Sequence, residues 1–287
     1  MLGKRVFFAV MAVSLLAGCA KNDRFSMVQS PATNIAAADG ANSALGYQPA
    51  EDDQRFPHFQ SFDPVLPSGL AGRTIAVSRY TDIALQPKEV VLTFDDGPMP
   101  GKTHKILKAL RQYGVSATFL MVGQMARAYP QIARDVAAAG HAVGTHTERH
   151  ANLRTMSDAA AMAEIRKGAM SVADALRPIG MRPAPFFRFP YLADTSSLRT
   201  RLSHEGIVAI DVDIDSKDYF RDAPSTVRAR TMRTLEKHGR GIVLFHDIQA
   251  RTAAMLPGFL ADLKARGFKV VRLAPANQPA PLVASAN

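Results

Sequence analysis

The sequence predicts an α/β fold of parallel strands with helices packed outside them. Three observations lead there. Short apolar runs alternate with amphipathic segments from about residue 88 to 274. Hydrophobic residues make up 47% of the 287, enough to fill a core. Polar, chemically capable residues fall directly after the apolar runs rather than within them. Strand–helix repetition at this spacing gives parallel strands covered by helices. Seven strands suit either a barrel or a doubly wound sheet, and no sequence repeat is present.

The chain opens on "MLGKRVFFAVMAVSLLAGC", with Lys4 and Arg5, an apolar run from Val6 to Leu16, and then small residues. A spanning helix needs about 20 apolar residues, so this run has the proportions of a signal-peptide core. Residues 19–50 are rich in Ala, Ser, Asn and Gly and read as a flexible tether. Residues 51–87 hold several prolines and scattered aromatics, the pattern of an extended segment packed on the main domain. Residues 88–274 form that domain, and 275–287 read as a disordered tail.

Within the main domain the expected strands are Glu89–Phe94, Val115–Val122, His141–Thr145, Pro185–Arg188, Ile207–Asp211, Gly241–Phe245 and Phe268–Leu273. The expected helices are Lys102–Tyr113, Pro130–Ala139, Asp158–Arg177, Ser196–Glu205, Ser225–His238 and Ala253–Arg266. Ser157 and Gly206 stand where a helix start and a helix stop need them.

The polar clusters then follow in order. Asp95 and Asp96 come after the first strand, His146 and His150 after the third, and Arg188 ends the fourth. Asp211, Asp213, Asp215 and Asp218 trail the fifth, and His246 and Asp247 follow the sixth. In parallel α/β folds the C-terminal ends of the strands share one face, where active sites are built. Two histidines with one or two carboxylates on that face suggest a divalent metal with an open position. His146 alone would read as a hydrogen-bonded loop histidine; paired with His150 beside Asp95-Asp96 it reads as a ligand.

"TFDDGP" (Thr93–Pro98), "HTERH" (His146–His150), "RFPY" (Arg188–Tyr191), "DSKDY" (Asp215–Tyr219) and "LFH" (Leu244–His246) resemble, in order and rough spacing, the five motifs of the NodB-like polysaccharide deacetylases. The resemblance spans about residues 88–274. It implies a distorted (β/α) barrel of about seven strands and a metal-dependent carbohydrate esterase acting on N-acetylated glycans. It implies Asp96, His146 and His150 as metal ligands, with Zn²⁺ first and Co²⁺, Ni²⁺ or Mn²⁺ able to fill similar ligands. Asp95 matches the general base, and Arg188 the arginine that holds it. Tyr191 matches the residue whose backbone N–H helps bind the oxyanion. His246 matches the general acid and Asp218 the carboxylate that orients it. Leu244 matches a pocket wall for the acetyl methyl group.

Two positions depart from the family pattern. Tyr219 stands where tryptophan is usual, and the chain has no tryptophan at all; Ala151 follows His150 where proline is usual. Tyr219 can still form an aromatic wall for substrate. These changes bear on groove shape.

Leu16-Ala17-Gly18-Cys19 resembles a bacterial lipobox, which implies cleavage before Cys19, acylation of its thiol and a lipid-anchored protein. Cys19 is the sole cysteine, so no internal disulfide is open to the chain. Ala20 after it fits sorting to the periplasmic face of an outer membrane. The formal charge is +10, or +8 without Lys4 and Arg5, and no run of five like charges occurs. That excludes a nucleic-acid stripe. The expected partners are an acetylated polysaccharide and a membrane, with the protein itself a monomer.

Three rival readings differ in kind. A zinc metalloprotease helix needs Glu directly after its first histidine; here Thr147 holds that place and Glu148 comes one later. That rival is rejected. An O-acetyl esterase acting on xylan-type glycans would use the same chemistry. A catalytically inactive, lipid-anchored glycan-binding protein would keep the fold without the reaction.

Overall fold

The structure, a computed structural model, describes residues 68–276. The expected leader 1–18, Cys19, the tether 19–50, residues 51–67 of the next segment and residues 277–287 of the tail lie outside the described residues.

Among the described residues, nine parallel-paired strands form one sheet, with helices around it. They are β1 (Ala71–Val77), β2 (Glu89–Asp95), β3 (Thr118–Met121), β4 (Ala142–Thr145), β5 (Phe186–Phe187), β6 (Val208–Ala209), β7 (Ile214–Asp215), β8 (Gly241–His246) and β9 (Lys269–Pro275). The helices are α1 (Thr103–Gln112), α2 (Gly123–Ala128), α3 (Pro130–Ala138), α4 (Asp158–Leu176), α5 (Ser196–His204), α6 (Pro224–His238) and α7 (Ala250–Ala265). An α-helix separates consecutive strands from β2 to β6 and from β7 to β9, as parallel pairing requires, while β1–β2 and β6–β7 are joined without one.

β2 is the hub, pairing with β3, β8 and β9. Followed through their partners, β6, β5, β4, β3, β2, β8 and β7 make an arc of seven strands. Its two ends, β6 and β7, are consecutive in the chain and are not paired with each other. The arc is thus a barrel left open at one seam, the distortion expected from the motifs. The sequence suggested one strand over Ile207–Asp211; the chain instead makes two strands of two residues each, on either side of the seam.

β1 and α2 were not expected. β1 pairs with β9 in parallel, from Thr74 beside Arg272 to Val77 beside Pro275. Only Ile75 and Val77 of its seven residues are buried, so its apolar pattern is too short to announce a strand. α2 has six residues and is followed by Pro130, the first residue of α3.

Alternation along β2 divides the core. Val90, Leu92 and Phe94 join Ile106, Leu110, Val227, Leu235 and Phe259 from the helices. Val91 faces the other way, into a cluster with Leu120, Phe186, Val208 and Ile242. β1 and β9 add Ile75, Val77, Val271 and Leu273 to that inner cluster. Each such fully buried side chain contributes about 1.5–3 kcal/mol. Thr93 and Asp95 share Val91's face, since side chains two apart on a strand point the same way. One side of β2 thus runs from apolar packing to a buried carboxylate.

The helix ends form as expected. Ser157 caps α4 by accepting from the Ala160 N–H. Gly206 closes α5 at φ +70, a left-handed conformation that favours glycine.

Candidate active site

Asp95, His146, Arg188, Asp215, Asp218 and His246 all lie at or just beyond the C-terminal ends of their strands. Asp213 does not. It precedes β7 and accepts from the N–H of Ile242 near the start of β8. Asp211 is also apart, its carboxylate ion-paired with Arg199. The expected acidic cluster therefore divides at the seam, because the chain turns back between β6 and β7.

Asp96, His146 and His150 each offer a ligand atom within 4.8 Å of the others. Asp96 Oδ1 lies 3.5 Å from His146 Nε2 and 3.3 Å from His150 Nε2. It is buried with no hydrogen-bond partner, a costly state for a carboxylate unless a cation completes it. His146 Nδ1 bonds to the Arg188 carbonyl at 2.8 Å. A carbonyl can only accept, so the proton sits on Nδ1 and the Nε2 lone pair faces Asp96. Burial lowers the His146 pKa to about 3, keeping the ring neutral as a ligand must be. The residues present therefore fit a divalent metal.

Two of the residues that would hold the metal lie on unusual backbone. Asp96 has φ +77 and His150 φ +57, left-handed conformations that non-glycine residues seldom adopt. Residues 146–150 form a loop, not a helix. Glu148, between the histidines, faces away from Asp96. Its Oε2 accepts from Ser171 Oγ at 2.8 Å on α4, and it pairs with Arg127 of α2. The N–H groups of Gly123 and Gln124 bond to the carbonyls of Thr147 and Glu148. A Cβ on Gly168 would meet the Thr147 carbonyl carbon at 2.3 Å, so α4 must pass the loop at a glycine. Glu148 and the helix contacts anchor the loop from beneath.

Asp95 and His246 are register partners on the paired strands β2 and β8. Both side chains line one cavity of about 480 Å³, with Asp96, His146, His150, Tyr191, Tyr219 and Leu244 around it. Asp95 is 2% exposed. Its Oδ1 accepts from Arg188 Nη1 at 2.8 Å. Burial raises the Asp95 pKa, with Arg188 and His246 opposing the rise.

Arg188 is itself 1% exposed. Its other donors reach Thr93 Oγ1 and the carbonyls of Ile210 and Asp211. The guanidinium thus ties β2 to the chain at the open seam. Removing one partner of a buried pair strands the other charge, at a cost of about 3–5 kcal/mol. Arg188→Met is expected to lower the unfolding free energy by about that amount, read from the urea midpoint and slope. A loss under about 1 kcal/mol would mean the pair is not the seam's fastening.

His246 Nδ1 lies 2.6 Å from Asp218 Oδ1. Asp218 Oδ2 accepts from the His246 N–H at 2.8 Å and from Thr252 Oγ1. Burial alone would depress the imidazole pKa. The hydrogen bond and charge of Asp218, with Asp95 and Asp96, outweigh it and raise the pKa to about 9.

The walls are aromatic and apolar. Tyr191 has φ +59 and is 66% exposed, its ring edge-on to His150 at 4.6 Å. Tyr219 packs edge-on to His246 at 5.6 Å, and its hydroxyl donates to Asp215 Oδ2 at 2.8 Å. Burial and that bond push its pKa up to about 12, so the phenol stays neutral. Leu244 is buried at the cavity. Sequence reasoning missed Phe189 and Leu192 in the lining and Thr252 behind Asp218. Thr252 is a buried hydroxyl in the first turn of α7, a signal too common to single out.

Known proteins resemble much of this chain. The sequence profile described as "Polysaccharide deacetylase" matches residues 82–210. A chitin deacetylase of Colletotrichum lindemuthianum is 32% identical over 216 residues, covering 71% of this chain and 85% of that protein. A peptidoglycan deacetylase structure from Bdellovibrio bacteriovorus superposes with a TM-score of 0.63 at 35% identity. That match covers 74% of this chain and 58% of the other. A family 4 carbohydrate esterase from Streptomyces lividans, solved with acetate, gives 0.58 at 29% identity, covering 66% and 94%. The shared fold, the strand-end constellation and a 32% identical relative covered over most of its length make this chain a member of the polysaccharide deacetylase family.

Proposed function

We propose that the protein hydrolyses the N-acetyl groups of a GlcNAc-type glycan with the help of one divalent metal, Zn²⁺ first. The observation that carries this reading is the side-by-side placement of Asp95 and His246 on paired strands, over the Asp96, His146 and His150 set, in one cavity. Relatives named chitin, chitooligosaccharide and peptidoglycan-N-acetylglucosamine deacetylases support the substrate class.

Asp96, His146 and His150 would hold the metal, which when bound polarises the acetyl carbonyl and acidifies water. Asp95, its Oδ1 engaged by Arg188, takes a proton from the attacking water on Oδ2. The Tyr191 N–H donates to the oxygen of the tetrahedral intermediate. His246 then gives its Nε2 proton to the departing amine nitrogen as the carbon–nitrogen bond breaks, while Asp218 holds the ring through Nδ1. Acetate and a free amino sugar result. Leu244 and Tyr219 bound the space for the acetyl group and its sugar.

The features of residues 1–20 support a lipid-anchored location in a bacterial envelope, with Cys19 acylated and the catalytic domain on the periplasmic face of the outer membrane.

Acetate release from N-acetylglucosamine oligomers and peptidoglycan fragments, with acetylated xylan in parallel, tests the reading. Release from the N-acetylated glycans is expected. It should disappear with a chelator and return with added Zn²⁺. Release from xylan alone would replace the amide reading with an ester one. Glycan binding without release from any substrate would make the chain a binding module.

A further inference from the structure

Asp247 is a buried carboxylate to which the proposed reaction gives no task. It follows His246 directly and is 1% exposed. Its N–H donates to the Asp95 carbonyl at 3.2 Å, so it is fixed against the end of β2. Its Oδ2 accepts from Thr103 Oγ1 at 2.7 Å, at the first residue of α1. Thr103 Oγ1 in turn accepts from the Met99 N–H at 2.8 Å. Between these points runs the turn that leaves β2 through Asp96, Gly97 and Pro98. A Cβ on Gly97 would stand 2.0 Å from Asp247 Oδ2 and 2.1 Å from Oδ1, so backbone and carboxylate are in direct apposition. Asp247 Oδ1, buried against Gly97, has no hydrogen-bond partner among the described residues. Asp96, one residue before, has φ +77. Strained backbone of this kind persists only where its surroundings over-determine it.

We propose that Asp247 is a positioning residue for the metal. Packed against Gly97 and bonded to Thr103, it clamps the turn that carries Asp96, and so aims Asp96 Oδ1 at the nitrogens of His146 and His150. The inference rests on the metal reading of those three residues and is independent of which glycan is the substrate. Outer groups that orient metal ligands change affinity about 10–100-fold when removed. Asp247→Asn replaces one carboxylate oxygen with an NH2 group beside Gly97, and Asp247→Ala removes the oxygen that accepts from Thr103. Thr103→Val loosens the same clamp from its other end and leaves every charge of the site in place.

The test is Zn²⁺ titration of the metal-free full chain by calorimetry, with a thermal melt of each metal-free variant. Zn²⁺ affinity is expected to fall about 10-fold in Asp247→Asn and about 100-fold in Asp247→Ala. Thr103→Val should weaken binding in the same direction, and the Asp247→Asn/Thr103→Val double variant should lose less than the sum of the two. A role in folding alone would lower the melting temperature and leave Zn²⁺ affinity within about two-fold, which overturns the proposal. Wild-type chain that binds no Zn²⁺ overturns the metal reading itself, a different result from variants that bind as wild type does. If Asp247→Ala does not fold, Asp247→Asn and Thr103→Val decide the matter.

Discussion

Asp95→Asn is expected to cut acetate release by about 10²–10⁴-fold, the usual worth of a positioned general base. The substitution is isosteric, and the amide oxygen can still accept from Arg188 Nη1. What it cannot do is take a proton. Metal content at saturating Zn²⁺ should match wild type, because in the proposed function the ligand atom at this turn belongs to Asp96. The two aspartates are neighbours in sequence with different surroundings. Asp95 ends β2 on the inward face and is engaged by Arg188. Asp96 has already left the strand, at φ +77, and its Oδ1 meets only imidazole nitrogens. Two measurements on the variant, acetate release and metal by elemental analysis, separate the roles. Turnover within tenfold of wild type would remove Asp95 as the base. Loss of metal alongside activity would make it a ligand.

Turnover should also fall as pH rises through about 9, and the residue responsible is His246. The sign follows from its task. A general acid works only while protonated, and the Asp218 pair keeps His246 protonated to higher pH than a free imidazole. The same pair contributes folding stability that is fully present below the ordinary imidazole pKa of 6.5 and is lost as pH rises through about 9. In Asp218→Asn the charge that raises the pKa is gone while the burial that lowers it remains. The alkaline limb of kcat should then move down by more than one pH unit. His246→Ala should lower kcat about 10²–10⁴-fold with metal content unchanged. An alkaline limb that stays in place in Asp218→Asn would assign that limb to another group. Metal loss in His246→Ala would place the imidazole among the ligands.

The parts of this fold that were legible in sequence are those whose apolar pattern is long and whose ends carry unusual chemistry. β2 and β8 were placed nearly residue for residue, because each is a continuous buried run ending in Asp or His. The five motifs pointed to Asp96, His146, His150, Arg188, Asp218 and His246, and the geometry sets the first three beside one another, Arg188 on Asp95 and Asp218 on His246. β6 and β7 were not separable, since a strand of two residues exists only through its neighbours. β1 was hidden because its pairing with β9 spans almost the whole domain and only two of its side chains are buried. Asp213 was misplaced for the same reason: the seam that turns the chain back is a property of the closed arc, not of the local sequence. Thr252 and Asp247 act on groups contributed by other elements, so their tasks appear only once those elements meet.

The register pairing of Asp95 with His246 has a consequence for how such a protein can change over generations. The spacing of these two side chains, the proposed proton acceptor and donor, is set by backbone hydrogen bonds within the sheet. Tyr191 and Tyr219, by contrast, stand on exposed connections beyond β5 and β7. The tyrosine side chains can be exchanged without disturbing the spacing of Asp95 and His246, so long as the Tyr191 N–H and Asp218 keep their places. Substitution at the exposed rim is thereby separable from the spacing that the sheet holds.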